Sequence, residues 1–392
     1  MQNYIFFCMY ANFFVLLHLN QIDFMKNTFF LAALAALTLV ACQPKENNFK
    51  VRRGTNLSHW LSQSEVRGEE RAKHIQEDDL ARLESLGFDF VRIPIDEVQM
   101  WDEQGNKLPE AWNLLTNGID LAIKHNLRVV VDLHIIRSHY FNAENEDGQS
   151  ANTLFTSEES QQQLINMWYQ LSEVLRHYSV DSVAYEFMNE PVAPEHEQWN
   201  QLIAKVHKAL REVEPQRTLV IGSNLWQGVG TFQYLRVPEK DKNIILSFHF
   251  YEPMVLTHYD TWWNPIRFYT GDVHYPGQLI SDEDWDACTD EVKEIVKDYH
   301  SEWNEEVLYQ RMKQAIDVAD SLGLQLFCGE WGVYENVDRD WAYAWTRDMI
   351  KVFNRFNVAW CTWCYDADFG FYDQNTEDYK DRELINILME KE

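Results

Sequence analysis

The sequence predicts an α/β fold, a (β/α)8 barrel, on three observations. Eight short runs rich in Val, Ile and Phe alternate with amphipathic stretches at helical spacing. The runs are apolar almost throughout, as strands of a parallel sheet covered on both faces are. Eight such units close a barrel, and 392 residues suit one. A doubly wound open sheet is the structural alternative. It is disfavoured because no glycine-rich phosphate loop follows the first run.

The first forty residues lie outside the predicted barrel. From Met25 and Lys26 the chain enters an apolar run, Phe29 to Ala41, too short to span a bilayer and proportioned like a signal-peptide core. It ends in Leu39-Val40-Ala41-Cys42, which resembles the bacterial lipobox; a plain secretory signal with a chance cysteine is the alternative. The expected organisation is 1–24 upstream of the working start, 25–41 a lipoprotein signal peptide, 42–49 a tether and 50–392 a single barrel domain. Contact with a membrane is then expected only through a lipid on Cys42, on the periplasmic face or outer surface of a bacterial outer membrane.

The strands are read at 52–60, 88–96, 127–135, 183–191, 218–224, 244–253, 324–332 and 358–366. Helical patterns lie between most of them, at Asp78–Leu86, Ala111–His125, Ser160–His177, Glu197–Glu214, Glu306–Leu322 and Asp340–Phe356. One connection is long. From Pro253 to about Glu302 it carries Trp262, Trp263, Phe268, Tyr269, Tyr275 and Trp285, too many aromatics for disorder, and is read as an ordered insertion at the barrel mouth. Beyond Cys8 and Cys42 the cysteines are Cys288, Cys328, Cys361 and Cys364, too few for a disulfide scaffold. Cys361 and Cys364 form a C-x-x-C, but on a strand such a pair points to opposite faces, so packing is expected rather than zinc or redox chemistry.

Composition narrows the partners. With 62 acids against 34 bases the formal charge is −28, and no basic patch is available for nucleic acid or an anionic membrane surface. Reactive groups of such a barrel lie at the C-terminal ends of its strands. Those ends carry Arg92, His134, Asn189 with Glu190, His249 with Tyr251, Glu330 and Trp363. Two carboxylates facing each other across a barrel mouth suit glycoside hydrolysis: one protonated to serve the leaving oxygen, the other ionised to attack the sugar carbon. Arg92 is placed to keep the nucleophile ionised and Tyr251 to hydrogen-bond it. His134 and His249 suit sugar hydroxyls or tuning of the acid, Asn189 a 2-hydroxyl, and Trp363 stacking on a ring. Singly, each has a blander reading as an ion pair, a core group or a surface acid; the ordered set does not.

That set resembles glycoside hydrolase family 5, of the retaining (β/α)8 clan. The matching pieces are "VRIP", "VVVDLH", "YEFMNEP", "FHFYEP", "CGEWG" and "CTWCYD", spread from Arg53 to about Asp366, and Asn-Glu-Pro is the most specific. The resemblance implies Glu190 as acid/base and Glu330 as nucleophile. It also implies Arg92, His134, Asn189, His249, Tyr251 and Trp363 around the scissile bond, with no metal or cofactor. Trp226 is a further candidate platform. Ser58-His59-Trp60 gives no substrate cue, Arg137, His139 and Tyr140 have no secure role, and Asp366 and Asp368 are hydroxyl ligands or loop acids.

Retention predicts carboxyl groups about 5–5.5 Å apart, a raised pKa for Glu190, a depressed one for Glu330, and Arg92 close to Glu330. The expected substrate is a β-linked oligo- or polysaccharide, cut as an endo-β-1,4-glucanase would cut it. Alternatives are an exo-acting β-glycosidase, a β-mannanase or a β-1,3-glucanase, and more distantly a non-catalytic sugar-binding surface lipoprotein.

Overall fold

The computed structural model describes residues 48–143 and 152–390. Residues 1–24, the stretch 25–41 read from sequence as a signal peptide, and Cys42 lie outside the described residues.

Eight parallel strands close a barrel: β1 (Arg53–Asn56), β2 (Phe90–Asp96), β3 (Arg128–Ile135), β4 (Val183–Glu186), β5 (Leu219–Gly222), β6 (Ile244–His249), β7 (Gln325–Trp331) and β8 (Ala359–Thr362). Each pairs with the next, and β8 returns to β1 through Arg53↔Trp360. Strands alternate their side chains between faces, so residues two apart stack up the barrel interior. The floor is apolar: Phe49, Val51, Phe90, Val130, Ala184, Val220, Ile245, Phe327, Ala359 and Cys361 form one cluster. Gly54 belongs to that layer because a Cβ there would lie 2.4 Å from the Phe90 ring. Phe49, read from sequence as the end of the tether, is 1% exposed and plugs the floor, so the domain begins earlier than residue 50.

Two residues further along the strands the interior turns polar. Asn56, Arg92, Asp132, Glu186 and Ser247 are all buried there, and His134 and His249 stand one step higher. In β7 the register with both neighbours slips by a residue, Phe248↔Cys328 being followed by His249↔Glu330. Such bulges at barrel rims re-aim side chains. Here the slip turns Glu330 inward and sends Trp331 outward, against Trp345, Phe353 and Trp360.

Helices Glu77–Leu86, Pro109–Lys124, Glu158–Leu175, His196–Val213, Glu305–Leu322 and Arg339–Arg355 coat the barrel at the six predicted places. After β5 there is a short 3-10 helix, Val229–Tyr234, where the chain carries Gly228, Gly230 and Pro238. The strand read at 358–366 stops at Thr362, so Cys364 lies beyond it; Cys361 and Cys364 are buried free thiols.

The insertion after β6 is ordered, with helices Met254–Thr257, Asp282–Ala287 and Asp290–Val296 and a two-stranded ribbon pairing Gly277–Gln278 with Glu302–Trp303. Its aromatics divide in two. Tyr269, Tyr275 and Trp303 join the main core, whereas Trp262, Trp263 and Phe268 stay exposed. Trp262 and Trp263 meet edge to face at 5.5 Å, and Trp263 does the same with Tyr334.

Candidate active site

Arg92 organises the mouth. Its guanidinium is fully buried, and its planar fork is spent on protein rather than substrate. Nε donates to Glu186 Oε2 at 2.7 Å; Nη1 donates to Asn56 Oδ1 and Glu330 Oε1, both at 2.9 Å. Nη2 donates to Asn189 Oδ1 at 2.8 Å and lies 3.0 Å from Asp132 Oδ2. Burial opposes the charge, but Asp132, Glu186 and Glu330 outweigh it and hold the guanidinium well above its ordinary pKa.

The two predicted carboxylates meet above this cation. Glu190, His249 and Glu330 each present an atom within 4.8 Å of the others. An oxygen of each carboxyl thus lies within 4.8 Å of the other, which suits the close pair of a retaining glycosidase rather than the roughly 6.5–9.5 Å pair that leaves room for a water. Glu330 Oε1 takes Arg92, and Oε2 accepts from the Tyr251 hydroxyl at 3.1 Å. Glu190 Oε1 is 2.8 Å from His249 Nδ1, which stands 3.6 Å from Glu330 Oε2. The same three residues carry donors close enough for a cation, but Arg92 already supplies a positive charge to Glu330.

Burial sets the protonation states. Glu190 is pushed well above the ordinary carboxylate pKa, first by burial and then by Glu330. Glu330 is also raised, contrary to the depressed value expected from sequence: its desolvation exceeds the pull of Arg92, which is shared among three carboxylates. Glu190 remains the harder to ionise, because Arg92 binds Glu330 directly. Asp132 is raised to about 7 by burial despite its contact with Arg92. His134, lowered to about 4 by burial, and His249, well below its ordinary value for the same reason, are neutral at working pH. The 2.8 Å contact to Glu190 is therefore a hydrogen bond of a neutral ring.

Every residue proposed from sequence for the cleavage point falls at this mouth. A cavity of about 160 Å³ is lined by His134, Asn189, Glu190, Tyr251, Glu330 and Trp363, with Gln63, Phe141, His258, Trp263 and Phe369. His134 is held by Asp132 at 2.7 Å and stacks on Trp363, centroids 5.6 Å apart. Asn189 Nδ2 is buried with no protein partner among the described residues, a donor left for a ligand. Trp226 stands on the rim, 48% exposed, with its indole N–H on Phe141 O. Of the unassigned residues, His59 reaches Trp363 edge to face, while Trp60 is core and Arg137 pairs with Glu97. His139 is buried and accepts from Val192 N, bracing the loop after Glu190. Asp366 and Asp368 are not among the cavity-lining residues.

Sequence reasoning missed Asn56, Asp132, Glu186 and Gln227. The first three had a signal: polar residues inside apolar strands, at the interior phase set by Phe90, Val130 and Ala184. Gln227 had none, since it reaches the site from a turn.

The sequence model of the family Cellulase (glycosyl hydrolase family 5) matches residues 44–369. The chain is similar to Endoglucanase C of Acetivibrio thermocellus, 28% identical over 341 residues, covering 86% of this chain and 97% of that one. It is similar too to Cellodextrinase A of Ruminococcus flavefaciens, 26% identical over 310 residues, covering 78% of this chain and 83% of that one. Among solved structures, Thermotoga maritima Cel5A in complex with cellobiose shares the fold with a TM-score of 0.68 at 21% identity, covering 87% of this chain and 98% of that one. The same protein in complex with mannotriose gives 0.69 with the same coverage and identity. With a family match spanning most of its length, the chain is a glycoside hydrolase and belongs to the cellulase family, glycosyl hydrolase family 5.

Proposed function

We propose that the protein is an endo-acting, retaining β-1,4-glucanase in which Glu330 is the nucleophile and Glu190 the acid/base. The observation that carries this is the asymmetry of two carboxyls whose oxygens lie within 4.8 Å. One is held by a guanidinium and a phenol; the other is hydrogen-bonded to a neutral imidazole and hard to ionise. In the first step a Glu330 oxygen attacks the anomeric carbon and the glycosidic C–O bond breaks. Glu190 gives its proton to the leaving oxygen. In the second, water attacks the same carbon, Glu190 takes a proton from it, and the ester to Glu330 is released. Asn189 Nδ2 suits the 2-hydroxyl, and Trp363 offers a wall to the ring.

Relatives named for endoglucanase and cellodextrinase activity support a β-glucan substrate. A mannan specificity is the second reading, favoured by the mannotriose complex of a structural neighbour. The test is product release by the purified protein from β-1,4-glucan, β-1,3-glucan, mannan and xyloglucan, with the anomer followed by proton NMR. Short β-oligomers from β-1,4-glucan are expected. Monosaccharide alone would reject endo action, α-product would reject retention, and release from mannan only would install the second reading.

The Leu39-Val40-Ala41-Cys42 stretch supports export as a lipoprotein anchored through Cys42 to a bacterial outer membrane. Activity should sediment with membranes and move to the soluble fraction in Cys42→Ser; an unchanged distribution rejects the anchor.

A further inference from the structure

The turn after β5 does two things at once. Leu225, Trp226 and Gln227 all have positive φ, 53°, 58° and 53°. Left-handed backbone is disfavoured for non-glycine residues, so a run of three persists only where its surroundings hold it. Those surroundings are the loop that carries Glu190. Trp226 N donates to Pro191 O, Ala193 N donates to Asn224 Oδ1 at 2.8 Å, and Asn224 Nδ2 donates back to Ala193 O at 2.9 Å. The turn puts the Trp226 ring on the rim and folds Gln227 underneath, where it is fully buried.

There the Gln227 amide is used at both ends. Its Oε1 accepts from the backbone N–H of Glu190 at 2.8 Å; its Nε2 donates to Ser247 Oγ at 2.9 Å and to Glu186 Oε1 at 3.2 Å. Glu186 Oε2 in turn accepts from Arg92 Nε, and Arg92 Nη1 holds Glu330. A continuous chain of hydrogen bonds therefore runs from one carboxyl of the pair to the backbone of the other. Glu190 itself has φ 44°, so its backbone is also in the left-handed region and its N–H direction matters. Space is made for this contact. A Cβ on Gly222, at the end of β5, would fall 2.4 Å from Gln227 Cγ, so the strand must end in glycine for Gln227 to lie across it.

We infer that Gln227 is a positioning residue that sets the place of Glu190 relative to Glu330, a role that rests on the assignments proposed above. It touches no reacting atom and acts through the backbone N–H of Glu190. Misplacing a general acid hurts most where the leaving group needs its proton, and a displacement of about 1 Å costs on the order of 10²-fold.

The test compares two substrates in Gln227→Met, which keeps the volume and removes both hydrogen-bonding ends. On an unactivated cello-oligosaccharide kcat/KM is expected to fall on the order of 10²-fold. On 2,4-dinitrophenyl β-cellobioside, whose leaving group departs without a proton, kcat/KM should fall by less than about threefold. Equal losses on both substrates, or none on either, overturn the inference, the former indicating a structural role. Ser247→Ala, which frees the amide of one anchor without touching Glu190, should show the same selectivity with a loss of about threefold to tenfold on the cello-oligosaccharide, and the absence of a selective loss overturns the inference. That variant decides the matter if Gln227→Met does not fold. Wild-type protein inert on every β-glucan would instead reject the proposed function before any variant is compared.

Discussion

Glu330→Gln should lower kcat on unactivated β-glucan by on the order of 10⁴-fold or more, in line with losses seen when a covalent nucleophile is removed. The substitution is isosteric, and its carbonyl oxygen can still accept from Arg92 or Tyr251, so folding and KM should change little. What disappears is the charged oxygen facing the anomeric carbon. The companion experiment is trapping: a 2-deoxy-2-fluoro cellobioside with a good leaving group should add one fluorinated cellobiosyl group, a disaccharide, to the peptide containing Glu330. An adduct on another residue, or a variant keeping more than about a tenth of wild-type kcat, would remove Glu330 from the role. The pH profile has its own signs. On the proposed roles, rising pH should end activity as Glu190 loses its proton, and falling pH should end it as Glu330 gains one. Burial raises both carboxyls and Glu190 further, so a pH profile of kcat/KM should show both limbs above the ordinary carboxylate range.

Much of this site was readable from strand ends alone. Glu190 follows an apolar run and sits between Asn189 and Pro191, and β3 and β6 place His134 and His249 by simple alternation. Glu330 was identified for the right run by an incomplete logic. Strict alternation from Phe327 would have turned Gly329 and Trp331 inward, and only the bulge in β7 brings Glu330 to the mouth. Its raised pKa was hidden for a related reason. Sequence showed one arginine near one acid, but folding brings Asp132 and Glu186 to the same guanidinium. Gln227 lies 37 residues from Glu190, and its contact depends on backbone angles that no hydrophobic period encodes. The aromatic-rich insertion was recognisable as ordered, but not that Trp263 reaches the cavity while Tyr269 and Tyr275 merely fill core. Phe49 was lost to the tether because one apolar residue in a polar stretch carries no period.

Arg92→Met should be the most destabilising single change in the barrel, and its cost should depend on pH. The side chain is 0% exposed, and so are Asp132 and Glu186. Removing one partner from a buried ion cluster typically costs about 3–5 kcal/mol, because the remaining charges keep their desolvation penalty without the attraction. Met replaces the volume, so the loss is electrostatic more than a cavity. A carboxyl with a raised folded-state pKa binds its proton more tightly folded than unfolded, so its stability contribution is full at low pH and fades as pH rises through the folded pKa. Asp132, at about 7 with Arg92 present, already behaves this way in the wild type. Without the cation Asp132, Glu186 and Glu330 all shift further up. Wild type already loses the Asp132 contribution up to about pH 7, so the variant should keep losing stability above about pH 7, where wild type levels off, and approach wild type at the acid end. Denaturant unfolding across both ranges measures the difference. A gap that stays constant with pH, or stays below about 1 kcal/mol, would mean the buried carboxyls do not depend on Arg92. Arg92→Lys should not restore activity, because a single ammonium cannot satisfy Asn56, Glu186, Asn189 and Glu330 from one point.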